Sequence, residues 1–239
     1  MCFFAAALDT KPIICYFWTD MSVQHGANKK DQKRKAFLEA ARKIFSEKGF
    51  QAANVTDIVS EVKSGQGTFY YHFKDKQAIF DELMIGFVDK LLTALAENQA
   101  RSAGRLALAN RELAIENAQR IAAVYMDNMD LATLFFRESR YVGGTAMQRI
   151  EQLYTIIFSQ IEAGLAEGQA LGLVRADLDP RISARCFAGA AECVIQQELR
   201  ADGPRDLAHI AAQIVDFQSL GVLAPAPREA HAENHASGS

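Results

Sequence analysis

Three observations predict an all-α fold for this chain of 239 residues. Apolar residues recur at spacings of three and four along every long segment. No stretch alternates apolar and polar in the manner of a half-buried strand. Glycine, proline or a short capping side chain stands at the breaks between segments. Hydrophobic residues make up 49% of the chain and charged residues 23%, the composition of an ordinary globular protein. A chain of this length buries roughly 70% of the surface it exposes when unfolded, so it needs no disulfide or metal staple.

The elements follow in order. Ala36, Phe37, Ala40, Ala41, Ile44 and Phe45 stripe a first helix, with Asn28 and Asp31 placed to cap its start. Gly49 and Phe50 end it, because glycine takes the left-handed conformation and the next apolar residue folds back on the last turn. Val55, Ile58, Val59 and Val62 form the buried side of a short second helix opened by Asn54. A third, Gln66 to Phe73, is dense in aromatics, and Asp75 caps a fourth marked by Ile79, Leu83, Phe87, Leu91 and Leu95, which ends near Gly104. A fifth is expected from Leu106 to Asn128 and a sixth from Asp130 to Tyr141, with Gly143-Gly144 before the seventh. Ile150, Leu153, Tyr154, Ile157, Phe158, Ile161 and Leu165 give that seventh helix the cleanest period in the chain. Asp179-Pro180 opens an eighth, since a proline there lacks only an amide that would be unpaired anyway. Gly203-Pro204 precedes a ninth, carrying Leu207, Ile210, Ile214, Phe217 and Leu220.

The ends and the cysteines carry less. Residues 1–27 are expected to be a disordered extension or an upstream reading of the start codon, since Met21 follows the apolar opening. Residues 224–239, rich in Ala, Pro, His and Ser, are expected to be a disordered tail. Cys2, Cys15, Cys186 and Cys193 form no CxxC pair; Cys186 and Cys193, seven apart, read as small core residues on one helix face. His231 and His235 stand four apart in the tail and are not taken as a metal site. No run reaches eighteen apolar residues, so no membrane span is expected and the protein should be cytoplasmic.

A net charge of −3 suggests no partner until it is resolved by position. Residues 21–80 hold eleven Lys/Arg against six Asp/Glu, net +5, whereas residues 81–239 hold fourteen against twenty-one, net −7. A basic segment of domain size on an acidic body points to a polyanion partner for one part only. Within that segment two short helices joined by a tight turn form a helix-turn-helix unit, which sets its second helix in the major groove of DNA.

The stretches AFLEAARKIFSEKGF (36–50), NVTDIVSEV (54–62) and GQGTFYYHFKDKQAIF (65–80) resemble the N-terminal domain of the TetR family of bacterial repressors. The Gly-Thr-Phe-Tyr-x-His-Phe run carries the resemblance most specifically. The turn departs from the family's usual Ala-Gly-Val-Ser, reading Val62-Lys63-Ser64-Gly65. Either Lys63 takes the left-handed position, at a cost of about 1 kcal/mol, or the turn shifts so that Ser64 caps the next helix. The resemblance implies that Thr68, Tyr70 and Lys76 contact the DNA backbone and that Gln66, Gly67 and Tyr71 face the bases. His72 could donate to a phosphate, and Lys63, Ser64 and Gly65 complete the expected DNA-binding set. Phe69 and Phe73 should be buried.

The fold class is therefore an all-α protein, an N-terminal three-helix helix-turn-helix DNA-binding domain (28–75) followed by a C-terminal helical ligand-binding and dimerisation domain (76–223). Homodimerisation is expected through the helices near 180–200 and 204–221, where Ala188-Gly189-Ala190-Ala191 permits close approach. Phe87, Leu91, Tyr125, Phe135, Phe136, Tyr154 and Phe158 are candidates to line an apolar cavity between the fourth and seventh helices, with Arg137 and Arg140 at its rim. FFRESR (135–140) and the segment 161–190 are similar to acyl-CoA-responsive members, so the expected effector is a small hydrophobic molecule such as a fatty acyl-CoA. The expected partner is a double-stranded, palindromic operator. No catalytic constellation and no cofactor motif is recognisable, so no enzymatic activity is expected. The alternative reading is a helix-turn-helix DNA-binding protein without ligand gating, with an architectural or division-control role.

Overall fold

The computed structural model describes residues 29–102, 106–107 and 110–223. Asn28, the tail residues His231 and His235, and the expected disorder of the two ends lie outside the described residues. Within them the chain is helical: α1 (Lys29–Lys48), α2 (Val55–Glu61), α3 (Gln66–His72), α4 (Lys76–Arg101), α5 (Arg111–Met126), α6 (Met129–Glu138), α7 (Gly144–Ala170), α8 (Pro180–Arg200) and α9 (Leu207–Val222). The described residues contain no strand, only an isolated antiparallel bridge between Val174 and Leu223. None of the described helices is long and apolar enough to cross a membrane.

The boundaries follow their local chemistry. Gly49, at φ +81°, ends α1 with its amide on the Phe45 carbonyl. Asp75 accepts from the Ala78 amide at 2.8 Å to start α4, and Asp179 accepts from the Arg181 and Ile182 amides to start α8. Two boundaries differ from the periodic pattern. The fifth helix begins at Arg111, where Asn110 accepts from Leu113, because its apolar period runs past the cap that terminates it. The sixth changes to a 3-10 turn at Ser139–Tyr141.

The core of the first three helices is aromatic. Phe37, Phe45 and Phe69 are fully buried, with Phe50, Phe73 and Phe80 around them. Phe37 meets Phe69 edge-on at 5.6 Å and Phe73 at 6.5 Å, the arrangement that ring quadrupoles favour. Helix α4, 26 residues or about 39 Å long, carries this core into the body. Its stripe of Ile79, Phe80, Met84, Phe87, Val88 and Leu91 joins Tyr125, Phe135 and Leu153 without a break.

A second seam ties head to body through α6. Arg42 of α1 makes a bidentate pair with Asp130, and Arg137 donates to the Phe45 carbonyl at 3.1 Å and to Glu138 at 2.9 Å. On α4, Gln77 donates to the Tyr141 carbonyl at 3.1 Å.

The outer faces of α8 and α9 remain uncovered. Ile182, Cys186, Gly189 and Cys193 are exposed on α8, and Phe217 and Leu220 on α9 are 73% and 86% exposed. The expectation that the two cysteines pack in the core is therefore corrected: they do share a helix face, but that face is turned away from the rest of the chain.

Candidate functional site

The recognition element is set by the turn before it. The carboxylate of Asp57 accepts the Asn54 amide at 2.9 Å, anchoring the start of α2. At the other end, Ser64 donates its amide to Val59 at 2.9 Å and Lys63 donates to Ser60 at 3.1 Å, the double closure of a Schellman motif. Lys63 sits at φ 49°, the only described non-glycine residue at positive φ. Of the two turns open from the sequence, the left-handed lysine forms, and Gly65 with extended backbone stands at the start of α3 without a side-chain cap.

This turn rolls α3 so that Phe69 and Phe73 lock inward and the other side turns out. Gln66, Gly67, Thr68, Tyr70 and Tyr71 are exposed, Tyr71 at 68%. Lys63 and Gly65 are also exposed, and Ser64 is half-buried. Glycine at 67 leaves nothing within 4 Å of where a Cβ would stand, an open approach for a base edge. His72 is half-buried between Phe37 and Tyr71, its Nδ1 buried with no partner among the described residues. Desolvation, reinforced by Lys30 and Arg34, lowers its pKa from the usual histidine value.

One expected contact is corrected. Lys76 does not reach outward: its ammonium donates to the carbonyls of Phe50 at 2.7 Å, Gln51 at 3.3 Å and Ala53 at 2.8 Å, and lies over the Phe50 ring. All three N–H donors are committed to the loop between α1 and α2, whose carbonyls would otherwise lack partners. Burial lowers its pKa. In its place the structure brings in residues that motif reading missed. Lys30 stands 5.1 Å over the Tyr71 ring, and Lys33 lies over Phe37, so the first turns of α1 flank the recognition helix with positive charge. The lysine-rich start of α1 was the signal available, and only the fold shows which face it joins.

The body holds a cavity of about 1760 Å³, bounded by α5, α7, α8 and α9 and the last turns of α4. It meets the fourth and seventh helices only along their C-terminal halves, with α5, α8 and α9 completing the wall. Phe87, Leu91 and Phe135 are fully buried core, Phe87 packing against Tyr125 and Phe135 at 5.7 Å each. Phe136 stacks behind Tyr125 at 5.6 Å, and Tyr154 and Phe158 stack on each other at 5.9 Å. Of those seven aromatic and aliphatic candidates only Tyr125 forms cavity wall. Arg137 is in the α1–α6 seam rather than at a rim, and the side chain of Arg140 lies outside the described residues. The period of α4 and α7 marks buried stripes correctly; it cannot separate a filled interior from a hollow one. Ile121, Ile157, Ile161, Phe187, Ile195 and Ile214 supply the apolar wall instead.

An exposed, aromatic recognition helix on a basic head, joined to a hollow helical body, defines a helix-turn-helix transcriptional regulator. Sequence comparison gives the family. The profile of bacterial regulatory proteins of the tetR family matches residues 37–83, and that of the tetracyclin repressor-like C-terminal domain matches residues 115–222. The chain belongs to the tetR family. It is 28% identical over 199 residues to the HTH-type transcriptional regulator YdgC of Bacillus subtilis, covering 80% of this chain and 93% of that one. It is 23% identical to the HTH-type transcriptional repressor KstR2 of Rhodococcus jostii, covering 82% and 94%. Among solved structures, the Bacillus subtilis regulator FadR in complex with stearoyl-CoA superposes with a TM-score of 0.61 at 19% identity, covering 78% of this chain and 98% of that one.

Proposed function

We propose that this regulator is a repressor that binds a palindromic operator as a homodimer in the cytoplasm and leaves it when a small hydrophobic molecule enters the body cavity. Residues 28–75 form the DNA-binding head and residues 76–223 the effector and dimerisation body. The observation that carries the reading is the outward face of α3. Gln66, Gly67 and Tyr71 are free to meet bases, and Thr68, Tyr70 and His72 to meet phosphates, with Lys63, Ser64 and Gly65 in the turn beside them. The uncovered faces of α8 and α9 supply the dimer. Two such helices from each copy make a four-helix interface about a two-fold axis, and Gly189 with the small residues beside it lets them approach closely.

Release needs an effector that prefers a dimer with wrongly spaced recognition helices. The cavity wall α5 runs into α6 through Asn128, which is pinned to α4 by Lys90 at 2.5 Å and to the Val124 carbonyl at 2.8 Å. Helix α6 then holds α1 through the Arg42–Asp130 pair and Arg137. A shift of α5 on ligand entry thus reaches the head through α6 as well as along α4.

The test is binding to DNA from upstream of the protein's own gene across ionic strength. Each neutralised phosphate should add about −0.9 to the slope of log affinity against log salt. An affinity independent of salt would refute the reading. Phe217→Asp combined with Leu220→Asp should yield monomers in light scattering and weaken this binding.

A further inference from the structure

Charges around the cavity are unevenly satisfied. Arg111 is bidentate to Asp216 at 2.6 and 2.7 Å, and Arg175 is bidentate to Asp177 at 3.1 and 2.7 Å. Both arginines of the wall are therefore neutralised by the protein itself. Three carboxylates of the wall, Glu167, Glu192 and Glu198, have no lysine or arginine paired with them among the described residues. Glu192 is half-buried on α8, in the wall with buried Tyr125 of α5 and beside Tyr154 of α7, whose pKa burial and this neighbouring carboxylate raise. A carboxylate accepts about four hydrogen bonds, so one neighbouring hydroxyl would leave most of that capacity open. Along α5, eight residues or about 12 Å from Tyr125, the Asn117 Oδ1 is buried with no partner. It is an acceptor of the wall without a donor.

We infer that the effector is a lipophilic organic cation whose ammonium group seats against Glu192 beside Tyr125, its apolar body filling the isoleucine- and alanine-lined remainder. The inference rests on the cavity being the effector site. Three features select this class. Even a half-buried carboxylate loses solvation without gaining a cation, and a ligand ammonium offsets that cost. The ring of Tyr125, in the same wall, attracts a cation. An anionic head would meet unpaired carboxylates and arginines already held by aspartates, so a carboxylate or the phosphates of an acyl-CoA would enter against repulsion. Burial raises the pKa of Glu192, in keeping with a group that lacks its counter-ion.

The test uses three probes of equal chain length, n-decylammonium, 1-decanol and decanoate, titrated into the full chain by calorimetry. Decylammonium should bind about tenfold or more tightly than decanoate. Glu192→Gln, which keeps the side chain's shape, should erase that preference while decanol affinity is unchanged. Glu167→Gln at the exposed rim should leave the preference intact, excluding a general effect of the acidic body. Tyr154→Phe serves as the second variant on the same carboxylate and should alter the preference without abolishing it. If all three probes bind alike, or decanoate binds best, the cation inference falls and the effector cavity stands. A preference that survives Glu192→Gln also overturns it. If none of the three binds, the effector-site reading falls and carries the inference with it.

Discussion

The head and the body of this regulator are built to different degrees of completion. In the head, α1, the short α2 and α3, and the start of α4 close on fully buried phenylalanines, and every ring has ring neighbours. In the body, α8 buries only Ala184 and Ile195 along 21 residues, and α9 only Ala211, Val215 and Val222 along 16. One side of these two helices faces a cavity and the other faces outward. The head is a finished core with a functional face on its surface. The body is a core with two places left open, one of ligand size and one of helix-pair size. A mutation in the head should therefore act on folding, and one in the body on what the body binds.

The largest test of this contrast is Phe37→Ala. Phe37 is fully buried and touches Phe69, Phe73 and His72, so its loss should cost about 3–5 kcal/mol. Denaturant unfolding would measure it, and a cost below 1 kcal/mol would mean that the head is not closed by these rings. An equally large ring in the body, Phe217, should give almost no loss on truncation to Ala in the monomer, because it is 73% exposed. Its effect should appear in the monomer–dimer equilibrium instead.

A smaller effect is expected where the body is tightly packed. A Cβ at Gly168 would lie 2.5 Å from the Val174 Cγ2, and the Gly168 carbonyl accepts from both Leu173 at 2.9 Å and Val174 at 3.1 Å. The chain leaving α7 folds back over this glycine before pairing with the end of α9. Gly168→Ala should destabilise by about 1–3 kcal/mol, and Val174→Ala should restore part of the loss by removing the clashing methyl. Failure of that rescue would locate the cost in the backbone. Smaller again is the Arg42–Asp130 pair, with about a third of each side chain exposed. Arg42→Met should cost no more than about 1 kcal/mol in stability. If the α1–α6 seam carries the effector signal, it should weaken ligand-induced release far more than it weakens folding.

Sequence and structure agree best where local chemistry decides the outcome. Gly49 ends a helix through its left-handed backbone, Asp75 and Asp179 start helices through their side chains, and Phe69 and Phe73 turn inward as the period demands. The left-handed Lys63 was one of two readable alternatives, and the hydrogen bonds of the turn select it. The cavity was not legible, because an isoleucine facing a void and one facing another isoleucine leave the same pattern. Lys76 was misread for a related reason: a lysine beside a recognition helix looks like a phosphate contact until the three carbonyls beneath it are placed. Cys186 and Cys193 share a face as expected, but which way α8 presents that face depends on the neighbours around it.

The smallest effect separates packing from contact at His72. Its pKa lies below the usual value because burial and then the nearby Lys30 and Arg34 disfavour the imidazolium. The unfolded chain takes up this proton near pH 6.5, before the folded chain does. From there downward the unfolded state binds more protons, so the contribution of His72 to stability is present above about pH 6.5 and is lost as pH falls through the folded pKa. His72→Gln should remove this part of the acid slope in melting temperature. DNA reverses the sign. A phosphate against His72 favours the imidazolium, so forming the complex takes up a proton and affinity should rise over the same window in which stability falls. Operator binding and melting temperature, measured together from pH 7.5 to 5.5 in the wild type and His72→Gln, distinguish the two roles. Opposite slopes that both vanish in the variant place His72 on the DNA. Parallel slopes make it a packing residue, and the phosphate contacts then fall to Thr68, Tyr70 and the lysines of α1.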